Sequence, residues 1–347
     1  MSEGLRVYAS MQGRFPDDAY ITDAVDLAAT CERLGFTGAL VHFNHRVPDP
    51  WLLSSLLIQR STAFVPMVAV QPYYTSPFAL AKMLATTAYL HGRRVDLNMV
   101  VGSTPGELRQ VGDRLDHRAR FDRMDEYLDV LTALLVGGSP AARPDPVYDY
   151  EKPEYFATGM DPELLPRIFV AGSSDEAVDL SARHGAVAVT NPGPADLFAD
   201  GFAASVGRRT ALGVRFGLIV RETSEEAWAA ARRYFPPNRA AQINVKLHGR
   251  ASDSVWRKDL AELSAEETHQ GVFWLGAILS GASHSPFLVG SAEEVGSYFS
   301  RYLECGVSEI ILASPWEEYE SNAEFLARWA VSGQGRCRRS RTPVASD

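Results

Sequence analysis

Short apolar runs rich in β-branched residues recur at 5–10, 37–42, 63–70, 94–101, 166–171, 186–190, 213–220 and 308–313, and helix-compatible segments separate them. Parallel neighbours need a long return connection, usually a helix, so this alternation predicts a parallel sheet covered by helices. Eight strands are the number that closes a (β/α)8 TIM barrel, with an open doubly wound sheet as the alternative. Helix periodicity is clearest at 21–34, where Ile21, Ala24, Val25, Leu27, Ala28, Cys31 and Leu34 return to one face before Gly35 stops the helix. The segments 223–233 and 291–303 open on Thr223-Ser224-Glu225-Glu226 and Ser291-Ala292-Glu293-Glu294, hydroxyl caps followed by acidic first turns.

Two spacings break the alternation: 102–118 after the fourth strand, and 235–289 after the seventh. A TIM barrel places its active site at the C-terminal ends of its strands, so both insertions are candidate substrate loops or lids, with plain decoration as the other reading. The expected organisation is one barrel domain over 1–332. A flexible basic tail follows over 333–347, carrying Arg336, Arg338, Arg339 and Arg341.

Composition narrows the class. The chain has 347 residues, 46% of them hydrophobic, and a formal net charge of -9. That balance offers no global attraction for nucleic acid or anionic lipid. The start of the chain lacks a signal-peptide pattern, and no run is long and apolar enough to span a bilayer. Cys31, Cys305 and Cys337 are dispersed and odd in number, so neither a disulfide framework nor a metal cluster is indicated. A reduced, cytoplasmic protein without a metal is expected.

Three clusters carry candidate chemistry. Asn98-Met99-Val100-Val101-Gly102-Ser103 ends a strand in small residues, which lets a planar ligand or phosphate approach the backbone; a simple glycine turn is the alternative. Ile168 to Glu176 runs from strand through Gly172-Ser173-Ser174 into a helix, where N–H groups and hydroxyls favour an anion, unless the serine merely caps its helix. P-loop and Rossmann spacings are absent, which favours a mononucleotide over a triphosphate or dinucleotide. The third cluster, Leu115 to Asp122, puts His117, Arg118 and Arg120 at a helix entrance, where they can contact a phosphate; a solvated charged turn is the commoner explanation.

In their order and spacing these clusters resemble the bacterial luciferase-like flavin monooxygenases, in particular the alkanesulfonate monooxygenase branch. The stretches are RLGFTGAL (33–40), TSP (75–77), LNMVVGSTPGEL (97–108), LDHRARFDRMDEY (115–127), AGSSDEA (171–177), VRETSEEAW (220–228) and LVGS (288–291). The resemblance implies a two-component, cytoplasmic homodimer or homotetramer. A separate NAD(P)H:flavin reductase would supply FMNH2, and O2 would add at the flavin C4a to give the oxygenating peroxyflavin. It also implies that Asn98, Val100, Val101 and Gly102 lie along the flavin, with Gly172, Ser173 and Ser174 at its phosphate and His117 and Phe121 alongside. Phe121 stands where the family usually has tyrosine, and the lost hydroxyl weakens binding by about 0.5–1.5 kcal/mol.

The substrate side departs from the family. Arg215 falls where a sulfonate-binding arginine is expected, but Gly217 replaces the histidine, Ser280 lies near the lid arginine, Val47 replaces the cysteine and Pro315 the tyrosine. Without those donors a fully ionised sulfonate is costly to bury, so a different small organic substrate is expected. Candidate catalytic groups are His42, His45, Arg215 and His284, since a neutral imidazole can donate a hydrogen bond or accept a proton. Trp274 and Trp316 are expected in the pocket wall. Two other readings remain: a deazaflavin-dependent hydride-transfer oxidoreductase, and a non-catalytic barrel homologue.

Overall fold

The computed structural model describes residues 4–11, 18–45, 47–102, 104–150, 159–250 and 253–331. Its strands are β1 (Arg6–Ser10), β2 (Gly38–Val41), β3 (Val65–Val70), β4 (Asp96–Met99), β5 (Ile168–Ala171), β6 (Val187–Thr190), β7 (Leu212–Arg221), β8 (Thr268–His269), β9 (Phe273–Trp274), β10 (Phe287–Ser291) and β11 (Val307–Leu312). β1 to β7 pair in parallel in chain order, and β11 pairs with both β1 and β7. Eight strands thus form the closed (β/α)8 barrel that the apolar runs predict. β2 and β6 are buried at every position, as a sheet covered on both faces requires.

The sequence overestimates strand length where apolar residues continue past the ladder. β4 stops at Met99; Val100 still donates its N–H to the Val70 carbonyl (2.9 Å), and Gly102 then turns the chain at φ +85°. The helix Tyr20–Leu34 buries Ala24, Leu27, Ala28 and Cys31 and ends on Gly35 in the left-handed conformation. Ile21 is the exception to the expected face and is 46% exposed. Thr223 caps Ser224–Tyr234, and Ser291 with Glu294 forms a full capping box on Ala292–Glu304.

β7 serves two sheets. Leu212–Phe216 pair with β11 inside the barrel, while Gly217–Arg221 pair with β10, which continues antiparallel into β9 and β8. This small sheet was not anticipated. It belongs to the segment that follows β7, along with helices Arg239–Arg250, Val255–Leu263 and Gly276–Leu279. After β4 the chain forms helices Pro105–Gln110 and His117–Leu135. The expected basic tail lies outside the described residues.

The N-terminal end of the barrel is closed by buried polar groups: Tyr8 donates its hydroxyl to Asp96 Oδ2 (2.7 Å), the Arg167 N–H reaches Asp96 Oδ1 (2.9 Å), and Arg6 pairs with Glu309 (3.1 Å). Above them Leu40, Met67, Phe169, Val187 and Ile311 fill the interior. Among the described residues, the cavity opens at the C-terminal end of the strands.

Candidate functional site

A cavity of about 760 Å³ lies at the C-terminal strand ends. Leu40, Asn98, Val189, Arg215 and Ile311 contribute from the strands, and residues 238–245, 253–260 and 278–284 of the long insertion cover them. The expected residues Asn98, Val100, Val101, Gly102, His117, Phe121, Gly172, Ser173, Ser174, Arg215 and His284 all line it.

The β4–β5 wall gathers polar atoms that lack partners. Asn98 Oδ1, His117 Nδ1 and Ser173 Oγ are buried without a hydrogen bond. A buried polar group left unsatisfied costs about 1–3 kcal/mol, so three around one cavity mark a surface shaped for a ligand. Asp116 starts the helix that carries His117 by accepting the Ala119 N–H (2.8 Å), and the imidazole meets the Phe121 ring edge-on at 5.1 Å. Gly102 turns at φ +85°, and a Cβ there would lie 2.8 Å from Leu108 Cδ2, so backbone and packing both require glycine.

The two adjacent serines divide the roles between them. Ser174 caps Asp175–Arg183 by accepting the Ala177 N–H at 3.4 Å, whereas Ser173 has no partner of its own. Asp175 and Glu176 already place negative charge in that first helical turn. Bonds from its own backbone N–H and from Ser174 hold the Glu176 carboxyl below the usual range. The helix dipole is therefore partly neutralised, and Glu176 Oε2 also lies 4.0 Å from His117 Nε2.

The opposite wall is cationic. On β7, Arg215 donates from Nη2 to Ser10 Oγ (3.2 Å) and to His42 Nε2 (3.3 Å), while its Nε is buried without a partner. No carboxylate pairs with it among the described residues, and burial pushes its pKa down to about 10. An arginine can only donate, so His42 Nε2 is the acceptor and its proton sits on Nδ1, directed to the Met11 backbone. Burial first, then Arg215 and His284, hold the His42 pKa well below 6.5. His284 is likewise depressed by burial and then by Arg215 and Arg257, so both rings are neutral at pH 7. The loop carrying His284 is fixed by Asn191, which donates to the His284 carbonyl (3.0 Å) and accepts from Ser285 Oγ (3.0 Å).

His42 stands behind Arg215 and is not itself in the lining, and the other three expected site residues lie elsewhere. His45 is exposed beyond β2. Trp274 is 2% exposed and packs among Trp228, Phe235 and Phe287, with Nε1 donating to Glu267 (2.7 Å). Trp316 starts a 3-10 turn after β11 and packs on the core between barrel and helices. The insertion instead supplies Trp256 and Arg257, neither singled out in the sequence. Asp253, at the start of that stretch, pairs with Arg120 (2.7 Å), fastening the cover to helix His117–Leu135.

The missing histidine at 217 has a structural counterpart. A Cβ on Gly217 would lie 2.2 Å from the Phe287 ring, so β10 fills the space a side chain would need. Ser280 lines the cavity but donates its hydroxyl to the Ala277 carbonyl (2.8 Å). Among the described residues no group of His, Cys, Asp and Glu could hold a metal ion, and no helix is long and apolar enough to cross a membrane.

A family model described as luciferase-like monooxygenase matches residues 6–309. The chain is 36% identical over 301 residues to the 4-(gamma-L-glutamylamino)butanoyl-[BtrI acyl-carrier protein] monooxygenase BtrO of Niallia circulans, covering 86% of this chain and 88% of that one. Its fold matches EDTA monooxygenase (EmoA) from Chelativorans sp. BNC1 with a TM-score of 0.69 at 15% identity, covering 96% of this chain and 94% of that one. It also matches an F420-dependent secondary alcohol dehydrogenase with a TM-score of 0.64 at 15% identity, covering 94% and 99%. At such identities the last two likenesses show the fold alone.

Proposed function

The chain belongs to the luciferase-like monooxygenase family, and from that premise we propose that it uses FMNH2, delivered by a separate flavin reductase, and O2 to oxygenate a small acyl substrate. The observation that carries this reading is the β4–β5 wall, where Asn98 Oδ1, His117 Nδ1 and Ser173 Oγ await partners around a cavity. Ser173 and His117 would hold the phosphate, and Asn98 with Gly102, which both line the cavity, would meet the flavin. Reduced FMN with O2 supplies the oxygen-transfer chemistry once bound.

The chain's own residues supply the remainder. Arg215 presents Nε as a charge-assisted donor to an electronegative atom of the substrate, and His42 and Ser10 fix its orientation. His284, neutral and facing the cavity between two arginines, is placed to accept a substrate proton. Leu260, Ile278 and Ile311 provide apolar surface for an acyl chain and limit access of water. The plug of Phe287 over Gly217 argues against a simple alkanesulfonate, and the kinship with BtrO favours an acyl group carried on an acyl-carrier protein.

Anaerobic titration with FMNH2, read by quenching of tryptophan fluorescence, is the primary test, with micromolar binding expected. A panel of acyl thioesters under 18O2 should then yield a product carrying one labelled atom. Failure to bind FMNH2 at submillimolar concentration sinks the proposal. The deazaflavin reading is supported only by a shared fold.

A further inference from the structure

We propose that Arg257 and Glu107 read the far end of the acyl group, Arg257 taking a carboxylate and Glu107 an ammonium of an α-amino-acid head. This rests on the acyl-substrate reading above and adds the chemistry of that group. Apart from histidines, the charged side chains lining the cavity are Glu107, Arg215, Asp253 and Arg257. Asp253 is paired with Arg120 (2.7 Å), and Arg215 serves the reacting end. One cation and one anion are left over, and among the described residues neither Arg257 nor Glu107 forms an ion pair.

The two charges belong to one corner of the cavity. Arg257 Nη1 lies 3.5 Å from Thr104 Oγ1, at the limit of a hydrogen bond. Thr104 directly precedes helix Pro105–Gln110, and its carbonyl accepts the Glu107 N–H (3.0 Å). The helix that carries Arg257 therefore meets the turn that carries Glu107. Opposite charges that face one cavity without closing on each other leave a place for a group bearing both signs. A plain anion would gain Arg257 but be repelled by Glu107, and a plain cation the reverse, so the pair selects against both.

The pair also lies within electrostatic range of the reacting end. Burial lowers the His284 pKa first, Arg215 and Arg257 lower it further, and Glu107 raises it. Leu260 and Ile278 line the same cavity and offer apolar surface to the methylenes that join the two ends of such an acyl group.

The test compares three pantetheine thioesters that differ only at the far end. The 4-(gamma-L-glutamylamino)butanoyl thioester carries both charges there, its 4-(glutarylamino)butanoyl analogue lacks the ammonium, and its 4-(4-aminobutanoylamino)butanoyl analogue lacks the carboxylate. With the whole protein, chemically reduced FMN and O2, we expect wild-type kcat/KM to fall by about 10- to 150-fold on losing either group, the range of one hydrogen bond to a charged group. Arg257→Met should lose that factor on the two carboxylate-bearing thioesters and far less on the third. Glu107→Gln should do the same for the two that carry the ammonium. Arg257→Lys should recover part of the loss, and FMNH2 affinity should stay at the wild-type value in every variant.

Equal wild-type kcat/KM on all three thioesters overturns the proposal and leaves the acyl reading standing. An Arg257→Met variant that slows all three alike also overturns it. Weakened FMNH2 binding in Arg257→Met assigns the guanidinium to the flavin phosphate and likewise overturns it. FMNH2 binding with no oxygenation of any thioester removes the acyl reading, and this proposal with it.

Discussion

Ser173 and Ser174 are neighbours in sequence, yet their alanine variants should move stability in opposite directions. Ser173 Oγ is buried without a partner, so Ser173→Ala removes an unsatisfied group that costs about 1–3 kcal/mol in the ligand-free protein. Ser174→Ala instead removes a helix cap worth about 0.5–2 kcal/mol. At roughly 2 cal/mol/K of unfolding entropy per residue, 347 residues convert 1 kcal/mol into about 1.4 °C of Tm. Scanning calorimetry without flavin should show Ser173→Ala rising by about 1–4 °C and Ser174→Ala falling by about 1–3 °C. In FMNH2 titrations the order reverses. A hydrogen bond to an ionised phosphate contributes about 1.5–3 kcal/mol, so Ser173→Ala should weaken binding by about 10- to 150-fold, and Ser174→Ala far less. A destabilised Ser173→Ala that binds FMNH2 as wild type does would refute the assignment.

Three further outcomes follow from the cationic wall and its surroundings. Arg215→Met should be neutral or stabilising without ligand, because a buried cation lacking a carboxylate is exchanged for an apolar chain, while kcat/KM falls by about 10- to 150-fold; retained turnover would remove Arg215 from the site. His42 is held below its ordinary value of 6.5, so it stabilises the fold fully above that pH, and the contribution is lost as pH falls toward the depressed value, by up to about 1.4 kcal/mol per pH unit. Urea unfolding between pH 7.5 and 5.5 should therefore be less pH-dependent in His42→Asn. Gly217→Ala should cost about 1–3 kcal/mol by overpacking against Phe287 and should be partly rescued by adding Phe287→Ala, a coupling that a double-mutant cycle measures directly.

The barrel was legible because its strands are short, buried on both faces and separated by helices, so the apolar runs marked all eight. What exceeded the pattern was ambiguous in kind: Val100 and Val101 read as strand because they are apolar, yet they border the cavity beyond the ladder. β10 is an equally apolar run, but its ladder partner is the outer half of β7, a pairing that lies far away in sequence. The flavin-side candidates sit at the end of β4 and just beyond it, just after β5 and at the helix start His117, positions a local motif can mark. Arg257 and Asn191 have no such signal, since their placement depends on how the insertion folds back. Trp274 shows the converse: its location in that insertion suggested a pocket wall, but a large apolar ring with its own hydrogen-bond acceptor was better buried among other aromatics.

The double pairing of β7 gives the long insertion an unusual kind of independence. It departs from the outer half of β7 at Arg221 and comes back onto that half through β10 at Phe287, on strands hydrogen-bonded side by side, with Gly217 opposite Phe287 and Arg221 opposite Ser291. A segment anchored on adjacent strands can change length at little entropic cost, about 0.6 kcal/mol for each doubling, without disturbing the closure between β7 and β11. The insertion is thus a natural exchange cassette: grafting it from one relative to another should transfer substrate preference, while β4 and β5 stay as they are.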